Sequence, residues 1–222
     1  MSDILILAAL REEVAKIRRS DRVTVALTGD GAARAWRGAA AAIERTAPRL
    51  VIGIGIAGAL SSDLCRGDLV VARTIVDENG AWNACDPAMV TVSMEAGGKP
   101  VTLVTTGAIA TPLEKRNLAG SLEGSAAVDL ESAAWQRAAT ERSLPFTTIR
   151  CILDTADEAL PAFLARCTRA DGSISRFRVV LHALLHPFEI PRLIDLRRRT
   201  SEAAAVLARG MESFLFKLEA NG

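Results

Sequence analysis

The stretch Arg49–Leu60, RLVIGIGIAGAL, admits two different folds. Its first half is a continuous apolar run, the pattern of a strand buried on both faces. Within it, GIGIAG (Gly53–Gly58) fits G-x-G-x-x-G, the spacing of a dinucleotide-binding turn, and Asp77 lies near the expected distance downstream. That chemistry requires a helix to begin at the glycines, so that its N-terminus faces a pyrophosphate. Here ALSSDLCRGD (Ala59–Asp68) is interrupted by Ser61-Ser62 and Gly67, and runs directly into the strand-like LVVARTIV (Leu69–Val76). There is no room for a crossover helix, so the dinucleotide reading fails. What remains is a buried strand with a small-residue carboxyl end, where a ligand can approach the backbone closely.

The same pattern recurs outward from that strand. ILILAAL (Ile4–Leu10), RVTVALTG (Arg22–Gly29), GDLVVARTIVDENG (Gly67–Gly80), KPVTLVTTGAIA (Lys99–Ala110) and FTTIRCILDTAD (Phe146–Asp157) read as strands. Between them EEVAKIRRS (Glu12–Ser20), AARAWRGAAAAIERT (Ala32–Thr46, stopped before Pro48) and ESAAWQRAATERS (Glu131–Ser143) read as helices. Apolar strands alternating with amphipathic helices predict an α/β fold: one domain over residues 1–222, with a central mixed β-sheet flanked by helices. The segment Arg176–Leu218 differs, being basic and rich in bulky apolar residues, with Pro187 and Pro191 as breaks. It is expected to form a helical C-terminal extension that either closes the core, forms an interface between copies, or meets a lipid surface.

Composition excludes several functions. In 222 residues, 27 Lys and Arg stand against 26 Asp and Glu, a net charge of +1 that offers nucleic acid no general attraction. The four cysteines (Cys65, Cys85, Cys151, Cys167) show no metal-ligand spacing, and His182 and His186 are the only histidines, so no metal site is expected. The thiols read as reduced, which suits a cytoplasmic protein. The opening MSDILILAAL carries Asp3 before its apolar run and charge directly after it, unlike a signal peptide, and no run approaches the length that spans a bilayer.

AVDLESAAW (Ala127–Trp135) sets two carboxylates, Asp129 and Glu131, in a small apolar context. An exposed strand face would explain them, because alternate residues share a face. So would a buried site, where a carboxylate needs a charged or hydrogen-bonded partner. A glycine turn, Gly29 and Gly31, also lies between a strand and a helix, where backbone amides can face an anion or simply make a tight turn.

Taken in order over Ile4–Glu158, these segments resemble the nucleoside phosphorylase and nucleosidase family that contains methylthioadenosine/S-adenosylhomocysteine nucleosidase. ILAALREEV resembles its first strand and acidic stretch. TGDGAARAWRGAAAAIERTAPRLVIGIGIAGAL resembles its glycine turn, helix and G-x-A-G strand end, and GDLVVA its next strand. AVDLESAAW resembles the ribose-binding V-E-M-E-A segment, and TIRCILDTAD the strand ending in S-D-x-A-D. IATPLEKRNLAG (Ile109–Gly120) and the basic tail are most similar to the hopanoid-associated phosphorylases, implicated in removing adenine from adenosylhopane during hopanoid lipid synthesis.

The resemblance implies cleavage of an N-glycosidic bond with release of adenine, by hydrolysis or phosphorolysis. It implies no cofactor, with inorganic phosphate as the candidate co-substrate, and a homo-oligomeric assembly. By position, Asp154 takes the place of the acid that serves purine N7, Glu131 of the ribose ligand, and Glu13 of the water-activating base. Glu12 is the alternative register for that base. Leu130 replaces a methionine that packs on the sugar, and Ile56, Ala57 and Gly58 form the strand end beneath it. Gly29, Gly31 and Arg34 are the candidate anion site.

The chain also departs from the family pattern. Ile56 stands where a serine is usual, Leu153 replaces the serine before the acid, Ala108 replaces an aspartate, and Gly53 stands where the hexameric phosphorylases bring an arginine. These losses imply a more apolar pocket, suited to a lipid-linked adenosyl substrate and a tail that touches a membrane. The alternatives are a nucleosidase for small soluble nucleosides such as methylthioadenosine or S-adenosylhomocysteine, and a non-catalytic nucleoside- or lipid-binding protein.

Overall fold

Strand β3 (Leu50–Ala59) passes through all the glycines of GIGIAG without yielding to a helix, as its sequence predicts. The structure is a computed structural model that describes residues 3–17, 21–108, 110–160, 188 and 190–220. Along β3, three neighbours divide its edges. Its first half pairs in parallel with β1 (Ile4–Ala8), which in turn pairs with β2 (Val23–Leu27). Its carboxyl end pairs antiparallel with β7 (Ala126–Asp129), and its other edge pairs in parallel with β8 (Phe146–Asp154). Strand β8 continues to β4 (Leu69–Val76), β4 to β6 (Lys99–Thr105), and β6 back to β7. The expected mixed sheet is therefore present, and part of it closes on itself as a ring of β3, β8, β4, β6 and β7. The short β5 (Trp82–Ala84), which has no strong sequence signal, pairs antiparallel with β4 at the edge.

Helices cover both faces, which is why the strands read as unbroken apolar runs. On β1, Leu5 and Leu7 face one core with α2 (Ala32–Thr46) and α5 (Ser132–Thr140), while Ile4, Ile6 and Ala8 face the other. Helix α2 buries Ala35, Ala39, Ala42 and Ile43, a helical stripe of small residues that allows close approach to the sheet. The second core is closed by α3 (Pro87–Glu95) and α6 (Ile190–Ala220).

Several expectations are corrected. Helix α1 spans Arg11–Val14 alone, shorter than the predicted Glu12–Ser20, of which residues 18–20 lie outside the described residues. Strand β6 ends at Thr105, before the TGAIA that the sequence reading included. Helices α3 and α4 (Pro112–Ala119) were not predicted, although each begins with a side-chain cap followed by proline, Asp86-Pro87 and Thr111-Pro112. Pro191 does not break the tail; it lies in the first turn of α6, where a missing N–H costs no helical bond. Residues 176–187 of the predicted extension lie outside the described residues, as do Cys167, His182 and His186.

Helix α6 buries Ala203, Ala204, Leu207, Ala208, Met211 and Phe214, so it closes the core, the first of its three expected roles. Among the described residues, no helix is long and apolar enough to cross a membrane. Phe214 is fully buried whereas Phe216, two positions on, is 73 % exposed. Phe214→Ala is expected to lower unfolding free energy by about 3–5 kcal/mol, the usual cost of emptying a core aromatic site. Phe216→Ala is expected to leave it nearly unchanged, and urea denaturation midpoints compare the two.

Candidate active site

Arg150 is buried in the middle of β8, a position where a charge needs compensation. Its register partner on β3 is Gly55. A Cβ at residue 55 would lie 2.2 Å from Arg150 Nη1 and 2.8 Å from Glu13 Oε1, so only glycine leaves space for both groups. The middle glycine of the run that imitates a nucleotide-binding turn instead makes room for an arginine and a glutamate. The guanidinium also lies over the Trp135 ring, 4.8 Å from its centroid.

Three carboxylates share this cation. Asp129, at the end of β7, forms an ion pair with Arg150 at 2.5 Å. It also accepts hydrogen bonds from Thr105 Oγ1 at 2.8 Å and from the Ser132 amide at 3.1 Å. Ser132 Oγ in turn accepts from Arg150 Nη2 at 2.7 Å. Glu131, at the N-cap of α5, accepts from the Gly31 amide at 3.4 Å. Glu13 accepts from the Leu10 amide at 2.8 Å and the Ile56 amide at 3.4 Å. Burial pushes the Glu13 carboxyl above its ordinary range, against the opposing pull of Arg150 and these amides. Burial likewise raises Glu131, to about 8; Arg150 opposes the shift, and Asp129 and Glu13 add to it. Glu12, the other register for the base, is exposed at the cavity rim while Glu13 is buried within.

Asp154, at the carboxyl end of β8, has a different partner. Lys115 from α4 forms an ion pair with its Oδ2 and donates to the carbonyls of Thr155 at 2.7 Å and Glu158 at 3.2 Å. Burial raises the Asp154 carboxyl, while Lys115, Arg199 and Arg66 oppose that rise. Gly58, the last glycine of GIGIAG, lies against this pair; a Cβ there would be 3.1 Å from Asp154 Oδ2.

These groups line one cavity of about 630 Å³. Glu13, Glu131 and Asp154 reach it from three separate elements, together with Leu130, Ile56, Ala57, Gly58 and Arg34. The rest of the wall is largely apolar, with Leu153 from β8 and Leu196 from α6. Gly29 and Gly31 stay behind the wall, both with φ of +84°, a conformation that favours glycine. The Gly31 amide serves Glu131, and Arg34 pairs with Asp30 at 3.7 Å.

Residues 7–92 match the family profile of the phosphorylase superfamily. No curated protein matches the chain significantly. Among solved structures, futalosine hydrolase of Helicobacter pylori is similar at 17 % identity and a TM-score of 0.71, covering 97 % of each chain. Helicobacter pylori 5′-methylthioadenosine/S-adenosyl homocysteine nucleosidase gives 17 % and 0.71, covering 97 % of this chain and 98 % of its own. The S-adenosylhomocysteine nucleosidase of Streptococcus pyogenes gives 20 % and 0.70, covering 96 % and 95 %. The fold is that of the nucleoside phosphorylases and nucleosidases.

Sequence reading missed two residues of the site. Arg150 was hidden in an apolar strand, though an arginine between Ile149 and Cys151 is itself a signal of a buried partner. Lys115 was hidden in the charged run LEKR, which reads as a solvated face.

The raised Glu131 carboxyl makes a signed prediction. A group whose folded pKa exceeds its unfolded value contributes stability below the unfolded value and loses it as pH rises through the folded one. With an ordinary value of 4.5 and a folded value of about 8, Glu131 should therefore weaken the fold progressively between those limits. Glu131→Gln is expected to melt higher than the parent protein at pH 8 and level with it near pH 4, as thermal melts across pH will register.

Proposed function

We propose that this chain is a nucleosidase of the phosphorylase superfamily, hydrolysing the N-glycosidic bond of an adenosyl compound with a large apolar group on the ribose 5′ carbon. Adenosylhopane is the substrate that the sequence resemblance favours. The observation that carries the reading is the convergence of Glu13, Glu131 and Asp154 on one cavity with an apolar wall.

The chemistry assigns each acid a task. As the C1′–N9 bond breaks, its electron pair passes to adenine and the ribose gains oxocarbenium character. Asp154 delivers a proton to N7 and so neutralises the leaving base. Glu131 bonds the ribose hydroxyls and, in its ionised form, offsets the positive charge on the sugar. Glu13 takes a proton from the water that attacks C1′, and the Ile56 and Leu10 amides fix the direction of its carboxylate. Leu130 and Ile56 give the sugar and base an apolar surface and exclude competing water.

Charge supports hydrolysis over phosphorolysis. A phosphate seated beside the sugar would meet Glu13, Asp129 and Glu131, while Arg150 is already shared among them. The Gly29–Gly31 turn, the candidate anion site, has its Gly31 amide directed at Glu131.

Apolar side chains support the lipid-like substituent. Leu153, Leu160 and Leu196 line the cavity, and α6 also carries the exposed Ile190 and Ile194. In this reading α6 covers the substituent and meets the membrane that supplies it.

Asp154→Asn is expected to lower adenine release by about 10²–10⁴-fold, the usual contribution of a positioned acid, while adenosyl ligands still bind. Across 5′-alkylthio adenosines of increasing chain length, kcat/KM is expected to rise, and Leu196→Ser to flatten that rise. A preference for the methylthio compound would assign the site to small soluble nucleosides instead. Undiminished activity in Asp154→Asn would remove the mechanism altogether.

A further inference from the structure

Helix α4 is inverted relative to what its sequence suggests. Leu113 is 61 % exposed, whereas Lys115 is 2 % exposed and directed at Asp154. An eight-residue helix that turns Leu113 to solvent, packs Leu118 on the core and buries its lysine deepest does so for the sake of the lysine's partners. The ammonium has three donors, and the structure gives each an acceptor: Asp154 Oδ2, the Thr155 carbonyl and the Glu158 carbonyl. A capping box holds the helix start, with Thr111 and Glu114 exchanging side-chain and backbone bonds. Glu158 is anchored in turn by Arg66, which follows β3, and by Arg199 of α6.

This arrangement raises a difficulty for the proposed acid. A carboxylate that forms an ion pair with lysine has no proton of its own to give. The proton of the pair resides on nitrogen, on the side away from the Thr155 and Glu158 carbonyls and against the Asp154 oxygen.

We infer that Lys115 is the source of the proton that Asp154 delivers to the departing purine. The inference rests on the reading of Asp154 as the acid at N7. In the step, an Nζ–H bond of Lys115 breaks as an O–H bond forms on Asp154, and that O–H bond breaks as N7–H forms. The C1′–N9 pair passes to adenine, water oxygen bonds to C1′, and the water's proton goes to Glu13. Lys115 is left as a neutral amine, and proton exchange with solvent returns Glu13 and Lys115 to their starting forms. The charged groups around the pair are Arg66, Arg199 and Glu158, with Glu114 and Arg116 on α4 itself.

The test compares two leaving groups on the same sugar. Adenine needs a proton to depart, whereas the 4-nitrophenolate of a matching riboside departs without one. Lys115→Gln keeps a donor for the carbonyls of Thr155 and Glu158 but has no proton to relay. At pH values where Asp154 alone has lost its proton, it is expected to lower the ratio of adenosyl to nitrophenyl turnover by about 10²-fold or more. The alkaline limb of its adenosyl pH profile should move to lower pH, because a carboxyl alone holds a proton less firmly than a carboxyl and amine sharing one. Lys115→Arg keeps the ion pair but not the relay, since guanidinium does not give up its proton, and should show the same fall in ratio. Recovery in Lys115→Arg, or an equal loss on both leaving groups in Lys115→Gln, would reduce Lys115 to a structural partner and overturn the relay. Asp154→Asn separates the two readings. If it alone lowers the ratio, only the relay fails; if it leaves the ratio unchanged, the acid at N7 fails as well.

Discussion

One buried guanidinium organises this site. Arg150 lies opposite Gly55 in the paired strands β3 and β8, and the missing side chain at that glycine is the space it fills. Asp129 forms an ion pair with it, and Glu13 and Glu131 lie within its field. One cation does not neutralise three carboxylates, and the remaining compensation comes from hydrogen-bond donors. The amides of Leu10 and Ile56 serve Glu13, that of Gly31 serves Glu131, and Thr105 with the Ser132 amide serves Asp129. An uncompensated buried charge costs several kcal/mol, so these donors hold in place the glycine turn, the end of β7 and the start of α5. The fold positions the acids, and the acids in turn fix the loops that carry them.

The cavity is thereby divided by chemistry. At one end is the cluster built on Arg150; at the other, Asp154 is paired with Lys115 and separated from Arg150 by half of β8. Two acids with separate cations can hold different protonation states at one pH, the condition for acid and base to work in a single turnover. Apolar side chains such as Ile56, Leu130 and Leu153 line the cavity alongside these two groups.

Much of this is legible in the sequence, and the residues that are not have physical reasons. The strands were legible because both faces of the sheet are covered, which leaves long apolar runs such as Ile4–Leu10. Glu13, Glu131 and Asp154 were legible as acids beside small or apolar neighbours, and they do reach one cavity. The helices α3 and α4 were not, since α3 is apolar around most of its surface and α4 turns Leu113 outward and Lys115 inward. Helical periodicity assumes that apolar residues face the core, and α4 breaks that assumption where a charge is needed inside. Closure of the sheet was not legible either, because it depends on β8 pairing with both β3 and β4, contacts between segments far apart in the chain. The anion-binding reading of the glycine turn had the right geometry, but Glu131 is the group its Gly31 amide meets.

The likeness to nucleosidases at 17–20 % identity establishes a shared fold and leaves the reaction to the side chains. In the proposed reading it is water, and not phosphate, that attacks the sugar. The most direct measurement is turnover of a 5′-alkylthio adenosine in ¹⁸O-water, with and without inorganic phosphate, followed by mass analysis of the sugar. The account predicts adenine release at a rate indifferent to phosphate, with one ¹⁸O at C1 of the ribose. An absolute requirement for phosphate, with a sugar 1-phosphate as product, would contradict it.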